Sequence, residues 1–312
     1  MRTCIIRNPG SGSADEAAAL FDAVAAREDL TLVESDSAAA MEQAVRDAAE
    51  AGFDVVAAAG GDGTVHAAAN ALMAVGHTAD ERPALAVLPL GTGNDLARTL
   101  AVPLDPGEAL ALIGHGQRRV LDLIHVCPTE SDACYAINVA AGGFTADMRE
   151  RLDDGLKQRW GPLAYALAGL ETIPDATAYN VRLRRDDGLL DRMALHSLVV
   201  ASARTAGGGQ PAAPMANPED GWLDVVAVRK ASAGALAALA ARAVVGDYLQ
   251  SELVDTWRVR RLAVEAAPPM RFTVDGEMKA ETPVTFEVVP LALRVVVGDD
   301  YQPEPNYTPP PE

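Results

Sequence analysis

Three short stretches combine glycine with hydroxyl, amide or carboxylate residues in a way that suits a phosphorylated ligand: RNPGSGSA at 7–14, AGGDGTVH at 59–66 and LPLGTGNDLAR at 88–98. Glycine lets main-chain N–H groups approach anionic oxygens, and a helix starting in the same loop adds the favourable end of its dipole. One such turn alone is usually just a tight connection. Three of them at the ends of strands call for a ligand. Helix capping accounts for Thr64 and Asn94, but it leaves Asp62 and Asp95 unexplained in the same turns. Acids beside a phosphate suit Mg2+, which keeps much of its water and takes few carboxylates. Asp62, Asp95 and Asp122 are the candidates, although an acid at a strand edge, as at Asp122, is commonly just solvated. The motif G-x-x-x-x-G-K-[ST] is absent, as is G-x-G-x-x-G, so any nucleotide must be held by backbone and hydroxyls with metal assistance and no clamping lysine. Later in the chain FTVDGEM places Asp275, Gly276 and Glu277 at a strand end, where Asp-Gly by itself signals a hairpin.

Other chemistries find no support. His66, His77, His115, His125 and His196 are scattered without ligand spacing, and Cys4, Cys127 and Cys134 are odd in number with no C-x-x-C. Neither a transition-metal site nor a disulfide framework is indicated. The nucleophile elbow G-x-S-x-G is also missing.

The elements that must position the loops follow from hydrophobic periodicity. TCIIR, LTLVE, DVVAAA, ALAVLP and RVLDLIHV read as strands, and ADEAAALFDAVAAR, AAAMEQAVRDAAEAG and TVHAAANALMAV as the helices between them. That alternation predicts an α/β N-terminal domain, 1–125, with a parallel sheet whose ligand crevice lies at the carboxyl ends of its strands. From 126 to 290 the faces alternate: Met270, Phe272 and Val274 are expected inward with Arg271 and Thr273 outward, followed by Val284, Phe286 and Val288 inward. YNVRLRR, ALHSLVVASA, WLDVVAV, WRVRRLAV and LALRVVVG behave alike. This half predicts a mostly antiparallel β-sandwich or barrel. Helical segments are expected at 158–173 and within 232–253. Residues 291–300 are available to complete the first domain, and 301–312 read as a disordered, Pro-rich tail.

The chain has 312 residues, 49% hydrophobic and 22% charged, with a formal charge of −18. That charge repels nucleic acid and anionic membranes alike, so a nucleic-acid partner is excluded and the acidity is read as a solubility setting. No apolar run approaches the ~18 residues needed to span a bilayer, and the cysteine usage fits a reducing cytoplasm.

These motifs together resemble the diacylglycerol kinase catalytic-domain superfamily, in its soluble bacterial lipid kinase branch, related to sphingosine and ceramide kinases. NPGSG, GGDGT, PLGTGNDLAR, DLIHV, NVAAGGF, PEDGWLDV and VDGE carry the resemblance over nearly the whole chain. GGDGT is shared with NAD kinases and loosely with phosphofructokinases, whereas PLGTGNDLAR is far more specific. The resemblance implies that Asn8, Pro9, Gly10, Ser11 and Gly12, with Gly60, Gly61, Asp62, Gly63, Thr64, Val65 and His66, cradle the phosphates of ATP. Thr92 and Asn94 complete the pocket, and Ser35 supplies the hydroxyl that usually follows the second strand. His66 stands where the family usually has Asn.

The same resemblance assigns Glu277, beside Asp275 in the D-G-E motif, as the base that takes the acceptor proton. It also implies a structural Mg2+ on the Asp220 carboxylate and the carbonyls of Asn217 and Trp222. The implied activity is ATP-dependent phosphorylation of a lipid hydroxyl, first of all diacylglycerol to phosphatidic acid, by a cytoplasmic protein in transient contact with a membrane. Arg149, Arg151, Lys157 and Arg159 are the basic groups expected to face the lipid, and the branch often forms homodimers. Phosphatidylglycerol or sphingoid-base kinases, an NAD kinase and a non-catalytic nucleotide sensor are the alternatives.

Overall fold

The structure, a computed structural model, describes residues 1–9, 21, 24, 27–143, 177–186, 188 and 190–305. Gly10, Ser11 and Gly12, most of the helix expected at 14–27, the one expected at 158–173, and Arg149, Arg151, Lys157 and Arg159 lie outside the described residues, as does 306–312 of the tail expected at 301–312; that tail is not disordered from its start, because Tyr301 is buried and bonds Glu219. The chain forms two compact units. One takes the described residues of Met1–Leu123, Pro218–Asp220 and Val289–Pro303, and the other those of Ile124–Asn217, Gly221–Val288 and Glu304–Glu312.

In the first unit, β1 (Thr3–Arg7), β2 (Leu30–Glu34), β3 (Val55–Gly60) and β4 (Ala84–Pro89) form a parallel sheet in the order β2-β1-β3-β4. The two central strands are apolar on both faces: Ile5, Ile6 and Val55 to Ala59 are fully buried. Strands covered on both sides read as continuous hydrophobic runs of this kind. Helix α1 (Ala38–Glu50) joins β2 to β3 and buries Met41, Ala44, Val45 and Ala48, the i, i+3, i+4, i+7 stripe that a 3.6-residue turn brings to one face. Ser37 caps it, accepting from the Ala40 N–H at 3.2 Å. Helix α2 (Asp62–Met73) joins β3 to β4, and the short α3 (Asp95–Thr99) follows β4. A further helix, α4 (Pro106–His115), was not among the expected elements. Asp105 caps it through the Glu108 N–H at 2.9 Å, and Pro106 opens its first turn.

The chain leaves this unit through β5 (Gln117–Pro128) and returns through β17 (Val284–Val297), whose Val295 pairs parallel with Leu85 of β4. Buried Arg82 ties the return in place. It donates to the Ala292 carbonyl at 2.7 Å, to Val75 at 2.9 Å and to Gly76 at 3.1 Å.

The second unit is antiparallel. It contains β6 (Cys134–Ala136), β7 (Val139–Gly143), β8 (Tyr179–Arg185), β9 (Leu190–Ala201), β10 (Thr205–Ala206), β11 (Gln210–Pro211), β12 (Leu223–Arg229), β13 (Val254–Val259), β14 (Arg261–Ala267), β15 (Arg271–Val274) and β16 (Glu277–Glu281). β9 pairs with β8, β7 and β12. Period-2 alternation feeds two cores. Leu198, Val200, Val225 and Ala227 enter the larger, where Phe272 and Phe286 meet at 5.1 Å. Val199, Ala201 and Val226 enter the smaller, which also takes Leu239 from helix α5 (Ala233–Val245).

Two expectations change here. The run 257–264 is two strands, because Asp186 takes the N–H groups of Arg260 and Arg261 at 2.8 and 2.9 Å and breaks the ladder between them. Thr273, expected outward, is 6% exposed and donates to the Ala141 carbonyl. Among the described residues no helix is long and apolar enough to cross a membrane.

Arg82→Met keeps the apolar stem and removes the donors from three carbonyls. It should lower stability by about 2–4 kcal/mol, read as a lower urea midpoint.

Candidate active site

The sheet order makes the chain step outward from β1 to β2 and then back across to β3, so the carboxyl ends of β1 and β3 flank the switch point where open α/β sheets hold ligands. Asn8 and Pro9 leave β1 there, with the Asn8 N–H on the Ala59 carbonyl at 3.3 Å. Ser35, buried just past β2, donates its N–H to the Arg7 carbonyl at 2.8 Å and its hydroxyl to Ser37.

The turns after β3 and β4 are pressed together. A Cβ on Gly91 would overlap Gly61 Cα, and one on Gly61 would stand 3.3 Å from Gly91 Cα. A Cβ on Gly60 would lie 2.6 Å from Thr64 Cβ, so Thr64 folds back over the glycine instead of capping the helix, whose N-cap is Gly61. Asn94 stands at the N-cap of α3, but its side chain makes no cap bond. It takes a left-handed conformation (φ 52°), accepts from the Gly91 N–H at 3.1 Å and donates to the Gly91 carbonyl at 2.7 Å, closing the turn on itself. Thr92 is left exposed at its tip.

Asp62 stitches the two turns. Its Oδ1 accepts from the Asp95 N–H at 2.8 Å, and its Oδ2 lies against Gly93, where a side chain would collide with it. The Asp95 carboxylate flanks the same glycine. Two acids thus face one turn, an all-oxygen donor set of the kind a hard cation takes. Val65 and His66 are buried in α2, where the imidazole lies 3.4 Å from Asn70 Nδ2. Asp122 is buried in β5 and accepts from the Leu291 N–H at 2.8 Å. Among the described residues no three His, Cys, Asp or Glu side chains converge on a metal position.

In the second unit the D-G-E motif divides between anchor and free end. Asp275 (φ 46°) accepts three main-chain N–H bonds, from Ile137 and Asn138 at 2.9 Å and Val139 at 3.1 Å, and returns its own N–H to the Val139 carbonyl. Gly276 (φ 95°) completes the turn, and Glu277 emerges with its side chain 45% exposed, 2.8 Å from Lys279. Sequence reasoning missed this anchor. NVAAGGF marked the segment, but main-chain donors leave no trace in residue types.

Asn217, Asp220 and Trp222 are each half-buried in the segment entering β12. Trp222 lies under the guanidinium of Arg260 at 4.6 Å and near that of Arg258 at 5.6 Å. In the same segment Glu219 accepts from Arg119 Nε at 3.0 Å and from the Tyr301 hydroxyl at 2.9 Å, and the pairing holds the Arg119 guanidinium above its usual range.

The described residues thus form a parallel α/β sheet with glycine turns at its carboxyl edge and an antiparallel β unit. Comparison with known proteins gives the family. The diacylglycerol kinase catalytic domain matches residues 2–126, and the YegS C-terminal NAD kinase beta sandwich-like domain matches 138–297. A Stenotrophomonas maltophilia (strain K279a) protein provisionally named a YegS-like lipid kinase is 33% identical over 255 residues, 81% of this chain and 82% of that one. The diacylglycerol kinase of Bacillus subtilis (strain 168) is 30% identical over 255 residues, 81% of each. A crystal structure from Bacillus anthracis (strain Sterne), provisionally named a diacylglycerol kinase, shares the fold with a TM-score of 0.79 at 23% identity, covering 96% of this chain and 97% of that one. The chain belongs to the bacterial diacylglycerol kinase and YegS-like lipid kinase family, and is an ATP-dependent kinase with an alcohol acceptor.

Two contrasts test the geometry by chemical denaturation. Gly91→Ala should cost about 1–3 kcal/mol by forcing the turns apart, whereas Gly114→Ala, which meets nothing within 4 Å in α4, should add up to about 1 kcal/mol. Asp275→Ala should cost about 3 kcal/mol by orphaning buried N–H groups, whereas Glu277→Ala should stay within about 0.5 kcal/mol.

Proposed function

We propose that this protein transfers the γ-phosphate of ATP to the hydroxyl of a lipid alcohol, with diacylglycerol as the first candidate acceptor. The observation that carries the reading is the pair of stitched glycine turns, Gly60–Thr64 and Gly91–Asp95, at the carboxyl edge of the sheet, in a chain of this family.

In this reading Asn8, Pro9, Gly10, Ser11 and Gly12, the turn from Gly60 to His66, Ser35, Thr92 and Asn94 hold ATP. Asp62, Asp95 and Asp122 would hold Mg2+ directly or through water, and the ion would supply neutralisation of the phosphate charge. Asp220, with the carbonyls of Asn217 and Trp222, would hold a second, structural Mg2+. The acceptor oxygen forms its bond to the γ-phosphorus as the bond to the β-phosphate oxygen of ADP breaks, and Glu277 takes the hydroxyl proton. The half-exposed carboxylate of Glu277 at the end of an anchored turn suits a base that must reach a substrate proton. Positioning and charge neutralisation supply the rest of the acceleration. Turnover takes place in transient contact with a membrane surface on the cytoplasmic side, and a homodimer is compatible with this reading.

The test is phosphate transfer from labelled ATP with Mg2+ to diacylglycerol, phosphatidylglycerol and sphingosine in mixed micelles, with NAD in parallel. We expect a labelled lipid whose formation falls by at least ~100-fold in Glu277→Gln. Labelled NADP would replace this reading with an NAD kinase, and ATP binding without any transfer would replace it with a nucleotide sensor.

A further inference from the structure

Among the described residues two buried side-chain polar atoms have no hydrogen-bond partner, Asn138 Oδ1 and Arg7 Nε. A neutral amide oxygen left so costs far less than part of a charged guanidinium, which is seldom buried unless something satisfies it.

Arg7 is the last residue of β1, paired in register with Glu34 on one side and Ala59 on the other. Its side chain is only 20% exposed. Phe21 covers one face of the guanidinium at 4.6 Å. Among the described residues its ion-pair partner is Glu34, 3.7 Å from Nη1 and itself 64% exposed, a separation and exposure at which an ion pair contributes little. Among those residues the cation is therefore held at the switch-point edge of the sheet without a hydrogen-bond acceptor for its Nε. It directly precedes the Asn8–Pro9 turn and neighbours Ser35, whose N–H bonds its carbonyl.

The three glycine motifs contain no lysine, and their other arginine, Arg98, already donates its Nε to the Gly93 carbonyl at 3.1 Å. Asp62 and Asp95 add negative charge to the same sheet edge. A polyphosphate there needs a protein cation, and Arg7 needs an anion.

We propose that Arg7 binds the phosphate chain of the nucleotide, as the cation of a crevice otherwise built from backbone and hydroxyls. This rests on the ATP reading above. A guanidinium keeps its charge at all working pH values and presents a fork of donors that matches phosphate oxygens, and its shielding by Phe21 limits competition from water.

The test is calorimetric titration of the full chain and of Arg7→Met and Arg7→Lys with ATP, inorganic tripolyphosphate and adenosine, with a thermal melt of each. We expect Arg7→Met to bind ATP and tripolyphosphate at least ~10-fold more weakly, with adenosine unchanged, Arg7→Lys intermediate and Tm not lowered. Arg7→Met binding ATP as tightly as the unaltered protein would overturn the proposal. So would a parallel loss of ATP and adenosine with a lowered Tm, which is the mark of a structural residue. If the unaltered protein binds tripolyphosphate through Arg7 but not ATP, the anion site stands and the nucleotide reading falls.

Discussion

The closest constraint in the N-terminal unit is the contact between two backbones, Gly61 on Gly91. Two turns from different strands can approach so closely only where neither carries a side chain, and the surrounding bonds follow from that approach. Asp62 can reach the Asp95 N–H only because the turns touch, and Asn94 can fold back on Gly91 only in a left-handed conformation. Thr64 fills the space above Gly60 for the same reason. The result is a densely hydrogen-bonded edge made mostly of main chain.

The D-G-E turn shows the opposite economy. Asp275 spends its carboxylate on three main-chain donors and has the strained backbone such a turn needs, while Glu277, two residues on, is held by little more than Lys279. Two acids of the same charge thus have different work: one fixes the turn and the other stands half-exposed at its end. The difference lies in burial and in the N–H groups of residues more than a hundred positions earlier.

That distance explains what could be read from the sequence. β1 and β4 were legible to the residue, because buried parallel strands are continuous apolar runs bounded by turn residues, and the edge strand β2 from its apolar residues Leu30, Leu32 and Val33. The glycine motifs and their place at strand ends were legible for the same reason. Helix α4 was not: Pro and Gly at both ends make 103–116 look like a loop, although the Asp105-Pro106 start is a genuine capping signal. The break at Arg260 depends on Asp186, and the anchoring of Asp275 on Ile137 to Val139. Both are long-range bonds to main chain, which residue types do not encode. Capping by Thr64 and Asn94, a sound local inference, gave way to the glycine contact, a tertiary effect.

The path of β17 has a consequence for synthesis. Residues 284–287 pair with β14, and Val295 pairs with β4, nearly three hundred residues after the chain begins. Leu291 reaches Asp122, the Ala292 carbonyl takes Arg82, Gly298 donates to the Leu100 carbonyl and Tyr301 bonds Glu219. An N-terminal domain normally folds as it leaves the ribosome. Here β4 lacks its neighbour β17, Arg82 lacks one of its carbonyls and Asp122 lacks the Leu291 N–H until residues near 300 have emerged. Until then the nascent α/β unit keeps an apolar strand edge uncovered, and chaperone shielding has the most to protect during that interval.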